Sequence, residues 1–427
     1  MQRLPAQARW SLVAVDCESG EAVIDIGGDE PLKPGSLVKL FTAGALFDAV
    51  VRPDFTTYAA VDGKISDGVL NGSLFLIGKG NALLSVADLK TAAKRLSEAG
   101  IKEVRGDVAA DDSYFDVRGI NRPALDTDSP AFSFPGALGI DLHTVSIKVA
   151  PAEAGMPPLI EISPPNGFVR IALTARTSSL DKTGIAIRQI DDLAYEVSGN
   201  IPASSAPLHK RFSLKDPALY AAGAFYSALT EAGIKVAGTA RKGRAPEGSR
   251  TMAALPSPPA GVLADALNKK SVNLLADNLL FSLGAAAYGA PATYAKSVRY
   301  VEEFLSGFGL DAAALRISDG SGISNDNMVS AAGVVRFLQS VVHAPWYKDF
   351  YNSLSSPGEG TLSDIGFVSR DIKVKTGQLE DAYAVAGYVR DKKDRLTAFA
   401  FMVNTHGADH PAVTGVGVEV LRKLAND

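Results

Sequence analysis

Two side chains near the start of the sequence are spaced for acyl-transfer chemistry. Ser36 and Lys39 stand three residues apart where helical spacing begins, so both side chains would lie on one helical face. A serine hydroxyl is a weak nucleophile until a neighbouring base removes its proton. Lys39 can be that base when it is neutral, and burial or a second nearby cation such as Lys375 favours the neutral amine. The spacing therefore predicts Ser36 as the nucleophile and Lys39 as its base.

Two further patterns follow in the order that serine-lysine acyl transferases use. Ser271-x-Asn273 stands at a predicted helix start, and Lys375-Thr376-Gly377 stands at the end of a predicted strand. Each pattern alone also has a structural explanation. Ser271 fits a helix N-cap, a role that it could combine with a catalytic one, and the Lys375 motif fits an exposed strand end. The ordered set of three favours catalysis.

The same short patterns also occur where their context does not suit catalysis. The sequence around them, SSLDKTG, is typical of a polar turn, and one lysine would have to serve two motifs at once. These patterns are Ser179-x-x-Lys182, Lys182-Thr183-Gly184 and Ser198-x-Asn200. We therefore predict no catalytic role for them.

Other candidate chemistries have weaker support. Ser321, in DGSGIS, lacks the G-x-S-x-G spacing of a nucleophile turn, so a tight turn is predicted. The histidines show no HExxH zinc motif, and the HGADHP segment that contains two of them is typical of a loop. They are His143, His209, His343, His406 and His410. A Ser-His-Asp triad stays open, because its members can be scattered, although no elbow motif supports it. We predict neither a metal nor an organic cofactor.

The composition excludes several classes of function. The 43 basic and 47 acidic residues are mixed along the chain and give a net charge of -4, which argues against nucleic-acid binding. No stretch approaches the roughly 20 apolar residues of a membrane helix. Cys17 is the single cysteine, so an internal disulfide is excluded, and it is predicted to be a turn residue. The N-terminus lacks the apolar core of a secretion signal, so we expect either a cytoplasmic protein or one whose signal has been removed.

The order of predicted elements indicates an α+β fold. A hairpin (10–15 and 22–26) and a helix from Ser36 come first, and a β-rich middle follows. After Pro256 come helices over roughly 261–287, 295–308 and 330–343, and then three strands and a helix. We predict a catalytic domain formed from 1–53 and 256–427. The inserted β-rich region is predicted over 54–255, and its division into two nested subdomains stays open.

The chain resembles the low-molecular-mass class C penicillin-binding proteins, the D-Ala-D-Ala carboxypeptidase and endopeptidase family. The likeness covers nearly the full length and includes PGSLVKLFTAGAL, RGDVAADDSYFD, NKKSVNLLADNLLFSLG, SDGSGIS and VKTGQL. That family has a large insert between its first two motifs, and here 235 positions (271 − 36) separate them. The chain departs from the family at Gly35, where alanine is usual, at Gln378, where serine or threonine is usual, and at Asn325, where arginine is common.

The resemblance implies a transpeptidase or β-lactamase-like domain, an antiparallel sheet flanked by helices, with β-rich insertions. It also implies roles for the matched residues. Ser36 would form the acyl-enzyme and Lys39 would act as base. Ser271 would pass a proton to the departing D-alanine, and Asn273 would orient Lys39 and the peptide amide.

The substrate side of the site follows from the same resemblance. Lys375 with Thr376 would hold the terminal carboxylate of the substrate. Gly377 and Gln378 complete the predicted substrate-binding set, and the main-chain amides of Ser36 and Gln378 would form the oxyanion hole.

The resemblance further implies peptidoglycan peptides as substrates, β-lactams as inhibitors and a periplasmic or other extracytoplasmic location. Two other functions stay open: a β-lactamase or esterase on the same core, and a non-catalytic peptidoglycan-binding protein. The sequence does not separate carboxypeptidase from endopeptidase activity, and it does not indicate an oligomeric state.

Overall fold

The computed structural model describes residues 4–5, 7–50, 52–119, 133–179, 182, 184–310, 315–363, 372–405 and 410–426. The chain forms two compact units. The first contains Met1–Pro53, Val117–Pro123 and Pro258–Asp427, and the second contains Asp54–Asp116 and Ala124–Ser257. No helix in the described ranges is long and apolar enough to cross a lipid bilayer.

Helices and strands are numbered here in chain order. The α-helices are α1 (Val38–Asp48), α2 (Val86–Glu98), α3 (Pro217–Glu231), α4 (Ala260–Asn268), α5 (Asn273–Tyr288), α6 (Tyr294–Ser306), α7 (Ala331–Val341), α8 (Tyr347–Ser353) and α9 (His410–Asn426). Short 3-10 turns span Gly35–Leu37, Asp141–His143 and Gly360–Leu362. The strands are β1 (Arg9–Asp16), β2 (Ala22–Ile26), β3 (Pro31–Leu32), β4 (Thr57–Ser66), β5 (Val69–Ile77), β6 (Glu103–Val104), β7 (Val108–Asp111), β8 (Phe115–Asp116), β9 (Thr144–Ala150), β10 (Leu159–Ser163), β11 (Arg170–Leu173), β12 (Arg176–Ser178), β13 (Ala186–Asp191), β14 (Ala194–Ser198), β15 (Asn200–Pro202), β16 (Leu208–Ser213), β17 (Lys235–Val236), β18 (Ala240–Lys242), β19 (Arg250–Leu255), β20 (Ala292–Thr293), β21 (Leu315–Arg316), β22 (Met328–Ser330), β23 (Ile372–Leu379), β24 (Ala382–Arg390) and β25 (Leu396–Asn404).

An antiparallel five-stranded sheet forms one half of the first unit. Its order is β2-β1-β25-β24-β23, so strands from both ends of the chain pair side by side. β24 and β25 are buried along almost their whole length, which indicates that both faces of the sheet are covered. α9 packs against β24, and α7 packs against β1 and β25. This sheet brings β23 beside the turn that leads into α1.

Buried helices form the other half of the first unit. α1 and α5 are apolar around most of their circumference and are buried along most of their length, as expected for helices inside a core. α1 packs against α4, α5 and α6. Lys39 is therefore a charged residue type on a helix with almost no solvent contact.

The second unit is β-rich, and its described residues include the helices α2 and α3. Its larger sheet has the path β17-β6-β5-β4-β19, with β7 joining β5 and β18. Smaller sheets have the orders β10-β9-β16, β11-β14-β13 and β12-β15. α2 begins at a capping box between Ser85 and Asp88, and α3 begins at the N-cap Asp216. The predicted mixed α and β fold class is confirmed, and the two nested subdomains stay a prediction.

The predicted single helix over 261–287 is wrong. The structure has two helices there, α4 and α5, because the chain turns between Asn268 and Asn273. Ser271 adopts a left-handed conformation with φ of 55°, which an α-helix cannot contain. The predicted N-cap role of Ser271 is wrong as well, since the N-cap position of α5 is Val272.

One buried histidine links the stability of the second unit to pH. His143 is only 1% exposed and ends a turn in which Asp141, Leu142 and His143 all have positive φ. Its Nδ1 lies 3.0 Å from the Phe134 carbonyl oxygen, and among the described residues its Nε2 has no hydrogen-bond partner. Burial lowers the pKa of His143 to about 4, although the bond to Phe134 opposes this shift.

We expect the free energy of unfolding of this unit to fall as the pH drops from about 6.5 to about 4. In that window His143 is protonated in the unfolded chain but stays neutral in the folded one. The free energy of unfolding falls by about 3 kcal/mol over the full window. Hydrogen exchange of the β9 amides between pH 7.5 and pH 4 measures this slope. His143→Asn, which does not titrate, should flatten it. His209→Asn, at an exposed position on β16, should not. An equal slope in all three proteins would contradict the assignment.

Candidate active site

The turn before α1 places Ser36 against β23. Ser36 is half-buried in the 3-10 turn Gly35–Leu37, which leads directly into the helix. Gly35 has φ of 52°, and a Cβ atom there would lie 3.1 Å from the main-chain nitrogen of Gln378. A Cβ atom on Gly377 would lie 2.9 Å from the Ser36 nitrogen. The two glycines thus allow the turn and the strand to approach closely.

Lys39 lies on the first turns of α1 and has no exposed surface. Its Nζ is 2.9 Å from Ser36 Oγ and 2.7 Å from Asn273 Oδ1. A third acceptor, the main-chain oxygen of Ser321, lies 2.6 Å from the same nitrogen. The predicted nucleophile, the predicted base and the asparagine of the second motif are therefore in direct contact.

A second serine-lysine pair lies beside the first. Lys375 on β23 is fully buried, and its Nζ donates to Ser271 Oγ at 3.0 Å and to the Thr376 carbonyl oxygen at 2.6 Å. The motif lies within β23, paired with β24, so the exposed strand end that formed its structural explanation is wrong. The left-handed backbone of Ser271 carries its hydroxyl toward the sheet instead of capping α5.

The two buried lysines influence each other. Burial lowers the pKa of Lys375 well below its usual range, and the neighbouring charge of Lys39 lowers it further. Two buried ammonium groups would repel each other strongly, because water does not screen their charges. A single positive charge shared by the two lysines is therefore favoured over two. A neutral amine beside a serine hydroxyl is the arrangement that general-base chemistry requires.

A cavity of about 250 Å³ opens over both serine hydroxyls. Its walls are rich in hydroxyl groups and include the predicted substrate-binding residues. The lining residues are Ser36, Ser271, Thr361, Leu362, Thr376, Gly377, Gln378, Tyr383 and Thr414. Thr376 Oγ1 donates to Thr361 Oγ1 at 2.8 Å. Lys39 and Lys375 lie buried behind the serines and do not belong to this lining.

Sequence reasoning missed part of this site. The Ser321 contact is made by a main-chain oxygen, which no residue pattern reveals. Ser321 itself sits in a buried turn, and its hydroxyl has no hydrogen-bond partner within the described ranges. Thr361, Thr414 and Tyr383 join the cavity from segments without a motif, so only the fold brings them in.

The competing candidates lie elsewhere or make structural contacts. Ser179, Lys182, Ser198 and Asn200 belong to the second unit, where Asn200 Nδ2 donates to the Lys182 carbonyl oxygen at 2.8 Å. Thr183 and His406 lie outside the described residues.

Burial raises the pKa of the Cys17 thiol to about 11, which suits an unreactive side chain. Within the described ranges, no group of three or more histidine, cysteine, aspartate or glutamate side chains is arranged to hold a metal ion.

Comparison with known proteins gives matches that span nearly the whole chain. Residues 1–424 match the model of the D-Ala-D-Ala carboxypeptidase 3 (S13) family. A D-alanyl-D-alanine carboxypeptidase of Actinomadura sp. is 30% identical over 97% of this chain and 80% of its own length. A D-alanyl-D-alanine carboxypeptidase of Haemophilus influenzae is 25% identical over 94% of this chain and 87% of its own.

The fold also matches a crystal structure. Penicillin-binding protein 4 of Haemophilus influenzae superimposes with a TM-score of 0.87 at 23% identity, covering 100% of this chain and 98% of that one. The same protein complexed with a β-lactam gives a TM-score of 0.80 at 22% identity over the same shares.

These matches confirm the resemblance inferred from the motifs and the predicted serine-type D-Ala-D-Ala carboxypeptidase activity. The family model and the Actinomadura relative each span almost the full chain, and so the chain belongs to the D-Ala-D-Ala carboxypeptidase 3 (S13) family.

Proposed function

We propose that Ser36 is the nucleophile of this carboxypeptidase and that Lys39 is its general base. The observation that carries the proposal is the contact of Lys39 Nζ with Ser36 Oγ at 2.9 Å, at a point where the hydroxyl lines a cavity and the amine does not. The hydroxyl can meet a substrate while the amine stays out of water. Burial and the second lysine favour the neutral amine that the base must be.

Acylation then follows from the geometry. Ser36 Oγ attacks the carbonyl carbon of the penultimate D-alanine and gives its proton to Lys39 Nζ. The main-chain amides of Ser36 and Gln378, which the two glycines bring together, stabilise the oxyanion. One such donor is worth about 3 kcal/mol. Asn273 Oδ1 holds Lys39 in place during this transfer.

Departure of the terminal D-alanine needs a proton, and the second pair can supply it. Ser271 lines the cavity and is hydrogen-bonded to Lys375 behind it. We assign to Ser271 the donation of a proton to the leaving amine and to Lys375 its replacement.

The shared positive charge lies beneath both serines, where it attracts the carboxylate of the substrate. The Thr376 hydroxyl and Gly377 form the wall that this carboxylate contacts. Water then hydrolyses the acyl-enzyme on Ser36.

The substrates that we propose are the D-Ala-D-Ala stem peptides of peptidoglycan, in a periplasmic or other extracytoplasmic location. The membership in a D-Ala-D-Ala carboxypeptidase family supports this substrate class. β-Lactams, which resemble D-Ala-D-Ala, are proposed to acylate Ser36. The β-lactam complex of the Haemophilus influenzae protein supports this for a protein of the same fold.

Ser36→Ala should abolish covalent labelling by a fluorescent penicillin, because no other hydroxyl would replace the attacking atom. Labelling on denaturing gels measures this. Ser179→Ala is the matched control, since it removes the serine of the second S-x-x-K pattern, and it should label like the wild type. Label retained on Ser36→Ala would remove the nucleophile assignment. No label on the wild type, together with binding to murein, would favour a non-catalytic binding protein.

Purified muropeptides should yield free D-alanine on incubation with the wild type, detected by mass spectrometry of the products. Scission of cross-linked dimers would leave a distinct mass and would add endopeptidase activity. Rapid turnover of a chromogenic cephalosporin without any D-alanine release would instead indicate a β-lactamase or esterase.

Gln378→Ser should lower KM for D-Ala-D-Ala peptides by up to about tenfold, with a smaller change in kcat. A short hydroxyl would replace the long, exposed amide side chain at the cavity wall and could donate to the carboxylate. D-Alanine release against peptide concentration measures both constants. Glu380→Gln, at an exposed position two residues along, is the control. A higher KM in Gln378→Ser would mean that the amide itself binds the peptide.

A further inference from the structure

A buried loop delivers a main-chain oxygen to Lys39. Residues 317–324 are all buried, and the Ser321 carbonyl oxygen in this loop lies 2.6 Å from Lys39 Nζ. This distance is the shortest of the three that join the amine to Ser36, Asn273 and Ser321. The position of this oxygen is therefore set by whatever holds the loop.

The Asp319 carboxylate holds the loop from within. Asp319 is 5% exposed, and its Oδ1 accepts from the Gly322 nitrogen at 2.5 Å and from Asn327 Nδ2 at 3.1 Å. Its Oδ2 accepts from the Ser324 nitrogen at 2.7 Å. The Gly322 N–H belongs to the same planar peptide group as the Ser321 carbonyl, so the bond from Gly322 to the carboxylate fixes the direction of the Ser321 carbonyl group.

The neighbouring helices fix the same loop from outside. Gly320, directly before Ser321, donates from its nitrogen to Asp277 Oδ1 of α5 at 3.0 Å. Its carbonyl oxygen accepts from Thr42 Oγ1 of α1 at 2.8 Å. Gly322 has φ of 84°, and a Cβ atom there would lie 1.9 Å from the Gly35 carbonyl oxygen. The loop is thus pressed against the turn that carries the nucleophile.

The Ser321 carbonyl oxygen affects the orientation of a neutral Lys39 amine. A neutral amine has two N–H bonds and one lone pair, whereas Ser36 Oγ is the only hydroxyl among the three acceptors named above. Asn273 Oδ1 and the Ser321 oxygen can only accept. When both hydrogens go to these two oxygens, the lone pair faces Ser36 Oγ, which is the orientation that proton removal requires.

We propose that Asp319 is a positioning residue for the base: by fixing the Ser321 carbonyl, it directs the lone pair of Lys39 at Ser36. The inference rests on the proposed roles of Ser36 and Lys39. In acylation the proton of Ser36 Oγ moves to this lone pair, and the resulting ammonium group donates to the same two oxygens. The loop therefore serves both protonation states without rearranging.

The pH dependence of acylation separates this role from simple support of the fold. The charged groups near the amine are Lys375 on β23, Asp277 on α5 and Asp319 in the loop itself. If the loop releases its carbonyl, the ammonium form of Lys39 loses an acceptor, and Asp319→Asn also removes a negative charge from the loop. The neutral amine is then favoured at lower pH, but its lone pair is no longer aimed at Ser36.

Asp319→Asn should lower the second-order rate constant of penicillin acylation by about tenfold or more. An asparagine puts an amide NH2 group against one of the two main-chain donors, so the loop must shift. The midpoint of the ascending limb of the pH profile should move down by about one pH unit. Asp326→Asn removes a carboxylate charge two residues beyond the loop without touching the bonds that Gly322 and Ser324 donate to Asp319, and it should keep both values.

Thr42→Val provides the test if Asp319→Asn fails to fold. It removes only the hydroxyl that binds the Gly320 carbonyl, and it should lower the acylation rate about threefold, with the midpoint shifted in the same direction. A wild-type midpoint in the folded variants would overturn the inference, even if less protein is labelled. Labelling that survives Ser36→Ala would instead overturn the proposed function, so the two failures are distinguishable.

Discussion

A lysine amine with no solvent contact must find its hydrogen-bond acceptors inside the protein, because a buried polar group left unpaired is costly. The acceptors of Lys39 lie in the 3-10 turn that leads into α1, at the first residue of α5 and in the 317–324 loop. The hydrogen bonds of Lys39 Nζ therefore require three segments to converge, and two of these segments lie 234 and 282 positions from Lys39 along the chain. The close packing of the buried helices α1 and α5 meets this requirement.

The second buried lysine, Lys375, affects the protonation of Lys39. Lys39 and Ser36 both come from the start of α1, at a distance of 2.9 Å, whereas Lys375 comes from the sheet and binds Ser271, between α4 and α5, at 3.0 Å. The second serine-lysine pair therefore joins the sheet to the helical half of the first unit. Both hydroxyls line the cavity, while both amines lie behind it. Because two adjacent buried charges repel, a proton on one amine favours its absence from the other. The pair can therefore remove a proton at one serine and return one at the other.

From the sequence we could predict contacts within one helical turn and the participation of residues in the ordered motifs. The contact of Ser36 with Lys39 follows from a spacing of three residues, and the participation of Lys375 follows from the ordered motifs and the family resemblance. The motif predicted a helix start at Ser271-x-Asn273, and α5 does begin at Asn273. The range 261–287 missed the break because apolar residues continue with helical spacing on both sides of it, while the left-handed backbone of Ser271 has no signature in residue type. A serine before such a run also imitates an N-cap, which made that second prediction wrong.

Two departures from the family pattern are neighbours in space. Gly35 and Gln378 are far apart in sequence, yet a Cβ atom on the first would lie 3.1 Å from the nitrogen of the second, at a backbone φ of 52° that favours glycine. An alanine at position 35 would require a different backbone φ at that residue and a small shift of β23 away from it. Contacting residues of this kind have coupled rather than additive effects. The residue before the nucleophile and the residue after the third motif are therefore best understood as one local feature of the oxyanion side of the cavity.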